Sequence, residues 1–158
     1  MSSALRTHLT ESLKAAMRAS EALRVSTLRM MLARLKDFDI AARPKGISEI
    51  PDPEIITMLR GMIKSRRDSE AQYRALDRAE LADKEAAEIA IIEAFLPKTL
   101  DGAALDVAVT TAIAQTGATS FKDMGRVIAA LKTTHGTDLD MGPTSALVKA
   151  KLAALPTA

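Results

Sequence analysis

Between Asp52 and Arg78 the sequence DPEIITMLRGMIKSRRDSEAQYRALDR keeps a helical period throughout, and it constrains the fold more than any other stretch. Asp52 suits an N-cap, Pro53 the first helical position and Glu54 the positive end of the dipole, so a helix is predicted to begin there. At about 100° per residue, Met58, Met62, Tyr73 and Leu76 share one face, widened by Ile55, Leu59 and Ile63, and that arc needs a core to cover it. On the flank of the arc, Arg60, Lys64, Arg67, Arg74 and Arg78 fall within roughly 40° of one line that no carboxylate of the segment shares. An unbroken helix would set these cations in a row about 27 Å long. Such a row is either a solvated face, partly neutralised by Lys64 with Asp68 and Arg67 with Glu70, or a contact for something anionic and extended.

A second long helix is predicted over residues 21–41, where Leu28, Met31, Leu32, Leu35 and Phe38 follow 3,4 spacing and no Gly or Pro intervenes before Pro44 and Gly46. Arg29 and Lys36 project together from one of its flanks. Arg24 lies near its apolar side, as a snorkelling edge residue or a partnered, partly buried one. A short amphipathic helix over 5–17 precedes it, and Ser20 offers a cap. After a bend at Asp77–Arg78, residues 79–95 read as another helix, edged by Ile89, Ile92 and Leu96 and stopped by Pro97. Stripes of this kind bury only against each other, which gives an all-α N-terminal long-helix hairpin or bundle over residues 1–96.

Beyond Pro97 the helices shorten. Asp101 and Gly117 bracket one, Ser120 with Asp123 resembles a capping box opening the next, Gly136 ends that helix, and a last one starts near Gly142–Pro143. Residues 97–158 are therefore expected to form a small three-helix C-terminal domain with Val107, Ile113, Phe121, Met124, Val127, Ile128 and Leu131 inside. Aromatics at 3% against 47% hydrophobic residues, with eight Met and no Trp, fit helical packing rather than a sandwich or barrel. Met30, Met31, Met58 and Met62 sit on or near the apolar stripes and read as core filler.

Several chemistries are excluded. With no Cys there is no disulfide, thiolate metal site or thiol nucleophile. His8 and His135 suggest no metal site, and His135 beside Gly136 reads as local capping. Neither a nucleophile elbow nor a phosphate-cradling glycine loop is present, so no cofactor and no catalytic residue are expected. Asp37 and Asp39 lie on different helix faces, and Asp138 and Asp140 are solvated in a loop, so neither pair is set up for perturbed pKa values. No run approaches 18 apolar residues, the N-terminus lacks a signal-peptide core, and Glu11 counts against a transit peptide, so a soluble cytoplasmic protein without membrane contact is expected.

The formal charge of +2 conceals a split. Residues 6–78 hold 15 Lys/Arg against 10 Asp/Glu, whereas 79–97 hold Lys84 against five carboxylates. That split steers a polyanion to one side or docks one helix on another. No aromatic platform is available to stack bases, so any RNA contact would run through phosphates and shape, as suits folded RNA.

The segments RVSTLRMML (24–32), IKSRRDSEAQY (63–73), KEAAEIAIIEAFLPKTL (84–100), TGATSFKDMGRVIAALK (116–132) and DMGPTSALVKAKL (140–152) together resemble the GatB/YqeY family in order and spacing. The resemblance implies a two-part helical fold similar to the GatB tail of the tRNA-dependent Asp/Glu amidotransferase and to an appended domain of some glutaminyl-tRNA synthetases, where it helps hold tRNA. It also implies basic contact positions at Lys64, Arg66, Arg67, Lys122 and Arg126. The family's description as a carbon-nitrogen ligase with glutamine as amido-N-donor belongs to a multisubunit enzyme whose ATP-using and amidase parts this chain lacks. Between Gly136 and Pro143, where relatives carry Lys or Arg, stand Asp138 and Asp140, which would repel phosphate. The leading expectation is an accessory module that binds tRNA through Arg60, Lys64, Arg66, Arg67, Arg74, Arg78, Lys122 and Arg126, associated with an aminoacyl-tRNA synthetase or an amidotransferase. Its rivals are a protein-protein adapter whose basic row meets an acidic partner, and an amide-transfer enzyme.

Overall fold

A computed structural model describes residues 3–156. Among them are seven α-helices and no strand: α1 (Ala4–Arg18), α2 (Ala22–Ala42), α3 (Asp52–Ala75), α4 (Ala79–Glu93), α5 (Gly102–Thr116), α6 (Met124–His135) and α7 (Met141–Ala153). The fold is all-α, as its periodicity implies. The chain divides into two compact units between Leu96 and Pro97.

In the first unit α3 and α4 form the most extensive helix pair, α2 packs on both, and α1 packs on α2 and α3. Leu9, Leu28, Met31, Leu35, Ile55, Leu59 and Ile92 are fully buried between them. Each of these side chains contributes roughly 1.5–3 kcal/mol by leaving water. The one-turn spacing of Leu28, Met31 and Leu35 puts α2's stripe over α3's Ile55, Met58, Leu59 and Ile63 in a single core.

The long basic helix stops three residues before Arg78. Leu76 is its C-cap and Asp77 takes a left-handed conformation, φ +54°. The N–H of Arg78 then donates to the Tyr73 carbonyl at 2.8 Å and that of Asp77 to Arg74 at 3.2 Å, which is the hydrogen-bond pattern of a Schellman ending. Asp tolerates this region better than most residues, so the turn forms without the glycine that would have announced it. Leu76, expected on the buried arc, is consequently 69% exposed. Ser20 closes α1 in the same manner, with φ +57°.

The second unit holds α5, α6 and α7 around Leu105, Val109, Val127, Leu131, Leu139 and Val148. Ser120 and Asp123 form the expected capping box, and Asp140 caps α7 by accepting the Gly142 N–H at 3.1 Å. Two residues assigned to its core are outside. Val107 is 64% exposed because α5 buries Leu105, Ala108, Val109 and Ala112 and leaves position 107 on the opposite face. Phe121 is 55% exposed because it opens a 3-10 turn, Phe121–Asp123, rather than a helical face.

Candidate nucleic-acid interface

The flank of α3 expected to face solvent lies along α4. Arg67 Nη2 donates to Glu93 Oε1 at 2.9 Å, and Arg74 Nη2 donates to Glu70 Oε1 at 2.9 Å and to Asp83 Oδ1 of α4 at 3.2 Å. Those bonds, Glu70's first and Asp83's second, push the Arg74 guanidinium above its ordinary pKa. Arg66 goes deeper: its Nε donates to Glu88 Oε2 at 2.8 Å, with side-chain exposures of only 14% and 8%. Residues 66, 67 and 74 of α3 thus meet 88, 93 and 83 of α4, as the antiparallel hairpin requires. Most of the segregated charge is spent inside one unit.

The other cations expected at the site are dispersed. Arg60 is half-buried and engaged in an interaction of its own. Lys64 is exposed and forms no ion pair with a described residue. Arg78 lies past the break, as the N-cap of α4. In the second unit Lys122 is exposed, whereas Arg126 Nη2 donates to Asp123 Oδ1 at 2.7 Å. The Asp123 carboxyl is held below its usual range, first by the Thr119 N–H, then by the Ser120 N–H, with Arg126 adding to them. A continuous cationic row over 60–78 is therefore not what α3 presents: a helix end divides it and carboxylates of this chain neutralise Arg66, Arg67 and Arg74.

Exposed positive charge lies instead along α2 and just past its end. Arg29 and Lys36 of α2, and Arg43 and Lys45 of the 3-10 turn Arg43–Lys45 that follows it, are exposed and make no ion pair with a described residue, though Arg43 helps to hold Asp39 ionised. Their spacing by sevens drifts only about 20° per step around a helix, so three cations form one line about 21 Å long. The sequence showed Arg29 and Lys36 projecting together, but the line stood out only once the charges of α3 were seen to be paired.

Two further features were missed. Arg6 donates to Asp39 through Nη1 at 2.8 Å and Nη2 at 2.9 Å, and Asp39 Oδ1 also accepts the Ile50 N–H at 2.9 Å. Asp39 is buried, and its pKa is lowered chiefly by the Arg6 hydrogen bonds, against the opposing effect of burial. The expectation of an unperturbed Asp39 is thereby corrected; its partner lies 33 positions away, outside any local pattern. Met30, read as core filler, is 41% exposed on the open side of α2. Arg24 proves both edge residue and ion-pair partner, 3.6 Å from Glu21. Among the described residues no group of three or more His, Asp or Glu could hold a metal ion, and no helix is long and apolar enough to cross a membrane.

The family model of YqeY-like proteins matches residues 6–152, almost the whole chain. The chain belongs to the YqeY-like family. Two curated relatives are both named "Altered inheritance of mitochondria protein 41, mitochondrial". The one from Kluyveromyces lactis is 35% identical over 85 residues, 54% of this chain and 44% of the relative. That from Lachancea thermotolerans is 33% identical over 89 residues, 56% and 46% of the two chains. The matched region thus spans less than half the length of either relative. These names overturn the cytoplasmic expectation. Lack of Cys bears on disulfides and Glu11 is a single residue, and neither feature selects a compartment.

Proposed function

We propose that this YqeY-like chain is a non-catalytic accessory module that holds folded RNA by its phosphates, with tRNA as the RNA and an amidotransferase or synthetase as the associated enzyme. The observation that carries this reading is the line Arg29, Lys36 and Arg43, extended by Lys45, along the exposed side of α2 and the 3-10 turn after it, none of them in an ion pair with a described residue. Lysine and arginine without internal carboxylate partners keep their full charge for a polyanion, and a rigid helix spaces them regularly. Lys64, Arg78 and Lys122 are exposed and extend the set of available contacts, while Arg66, Arg67, Arg74 and Arg126 take subordinate places because carboxylates of the chain engage their charge, and Arg60 because it is half-buried.

Filter binding of the purified chain to total tRNA at low and at near-physiological salt tests the proposal. Binding that strengthens steeply at low salt and is lost on reversing Arg29, Lys36 and Arg43 supports it. No affinity at low salt rejects it. The same line would also suit an acidic protein partner, and co-purification that survives nuclease treatment would favour that adapter reading.

A further inference from the structure

Three methionines, Met30 of α2 and Met58 and Met62 of α3, line an open groove of about 540 Å³. They are not equivalent. Met58 is 3% exposed and belongs to the core, whereas Met30 is 41% exposed and its Sδ accepts a hydrogen bond from Arg66 Nη2 at 3.7 Å. Its thioether is thus open to a small solute and at the same time touched by a charged donor.

That donor is held in place independently of the sulfur. Arg66 Nε donates to Glu88 Oε2 at 2.8 Å, Nη1 donates to the Met62 carbonyl at 3.3 Å, and the side chain is only 14% exposed. A guanidinium is planar, so two anchored nitrogens set the direction of the third. Nη2 is therefore aimed at Met30 by Glu88 and Met62. A thioether is a weak acceptor, and an oxygen on that sulfur would serve a charged N–H far better.

We propose that Met30 is a methionine-oxidation site, with a hydroperoxide as oxidant, and that Arg66 captures the sulfoxide oxygen. A sulfur lone pair attacks the terminal oxygen of the peroxide, and the S–O bond forms as the O–O bond breaks. The departing oxygen takes the proton of the transferred one and leaves as water or an alcohol. Sulfur loses two electrons and the peroxide gains them. A thioether carries two lone pairs, and reaction through one or the other gives opposite sulfoxide epimers. The Arg66 N–H covers one of them, so the peroxide reacts at the other and a single epimer predominates. Set to the side of the line from Sδ to Nη2, the new oxygen comes within the roughly 2.7–2.9 Å of a charge-assisted hydrogen bond with neither side chain moving. At Met31 and Met58, 0% and 3% exposed, the same oxygen would enter the apolar core. Oxidation at Met30 instead leaves the first unit folded, with α2 joined to α3 by a stronger bond than the thioether gives.

Mild treatment of the full chain with hydrogen peroxide tests this, read by peptide mass spectrometry and, on the digest, by reductases that each remove one sulfoxide epimer. Met17 is the internal control, since it is 51% exposed and its thioether bonds no described residue. Met30 should oxidise at least about tenfold faster than Met31 and Met58, as its exposure allows. One epimer at Met30 should exceed the other by about tenfold, the factor that one hydrogen bond from a charged group supplies, while Met17 gives nearly equal amounts. In Arg66→Lys one nitrogen replaces three, so Glu88 keeps a partner and Met30 loses its donor. Arg66→Leu combined with Glu88→Leu removes the donor and leaves no charge stranded. In both, Met30 still oxidises and its epimer ratio falls toward one. The unaltered chain supplies a readout that needs no variant to fold: on oxidation of Met30 the Arg66 guanidinium N–H resonances shift and exchange more slowly with water. Met30 reacting no faster than Met31 and Met58, equal epimers at Met30, a ratio that both variants leave unchanged, or Arg66 resonances that do not respond would each overturn the proposal.

Discussion

Arg6 and Asp39 face each other through two near-parallel hydrogen bonds of 2.8 and 2.9 Å, joining the first turn of α1 to the last turn of α2. The same carboxylate accepts the N–H of Ile50, and Arg6 Nη2 reaches the Ile50 carbonyl at 3.4 Å. One ion pair therefore ties two helices to the residue that leads into α3. Glu49, 3.7 Å from Arg6 Nε, adds to the negative surroundings that raise the Arg6 pKa, a shift due first to the Asp39 hydrogen bonds.

The pair makes stability depend on acid. Asp39 binds a proton less readily in the folded chain than in the unfolded chain, so its contribution is complete above the unfolded value of about 3.9 and falls away as pH drops through the lower folded value. Urea unfolding of the first unit, followed from pH 7 downward beside Asp39→Asn, should show curves that converge in acid. Parallel curves would mean that Asp39 carries no such linkage. Carbon-detected titration of the Asp39 carboxyl reads the depressed pKa directly, even if the variant folds poorly.

Arg66 and Glu88 are the buried link of the α3–α4 hairpin, and removing one partner strands the other away from water. Glu88→Ala should cost about 3 kcal/mol, with faster hydrogen exchange along α3 and α4. Replacing both by Met and Leu should recover most of the loss, because an apolar pair of similar volume has no charge to desolvate. A double variant as unstable as Glu88→Ala would show that the ion pair, rather than the stranded charge, sets the cost.

Helix periodicity was readable because each stripe is a local repeat: Leu28, Met31 and Leu35 on α2, or Ile55, Leu59 and Ile63 on α3, announce a buried face from spacing alone. The capping box at Ser120 and Asp123 was equally local. What escaped depends on distant partners. Nothing near Arg67 or Arg74 in sequence reveals that Glu93 and Asp83 lie alongside, because the turn that folds α4 back relies on Asp77 in a left-handed conformation. A basic flank on one helix and an acidic helix after it are as consistent with mutual docking as with a polyanion surface, and here docking took most of the charge.

Gly61→Ala isolates the intrinsic cost of the glycine. With no heavy atom within 4 Å of the added Cβ, the variant should gain about 1 kcal/mol and raise the first unit's melting temperature by about 4 °C or more. Differential scanning calorimetry checks this. A lower melting temperature would mean that the glycine serves packing inside the unit after all.

The proposed RNA contact separates two sets of cations by what their loss does. Reversing Arg29, Lys36 and Arg43 removes three exposed charges that form no ion pair with a described residue, so stability should fall only by the support that Arg43 lends the Asp39 carboxylate, while tRNA affinity falls. With four phosphates neutralised, including one by Lys45, the slope of log K against log salt should be about −3 to −4, taking the duplex coefficient, and the triple variant should flatten it by about 3. Reversing Arg67 and Arg74 places like charges against Glu93, Glu70 and Asp83, so its main effect should be looser hairpin packing, read as faster exchange in α4, with the salt slope nearly unchanged. If the α3 pair flattens the slope and the α2 trio does not, the contact belongs on α3, and its ion pairs must open when RNA binds.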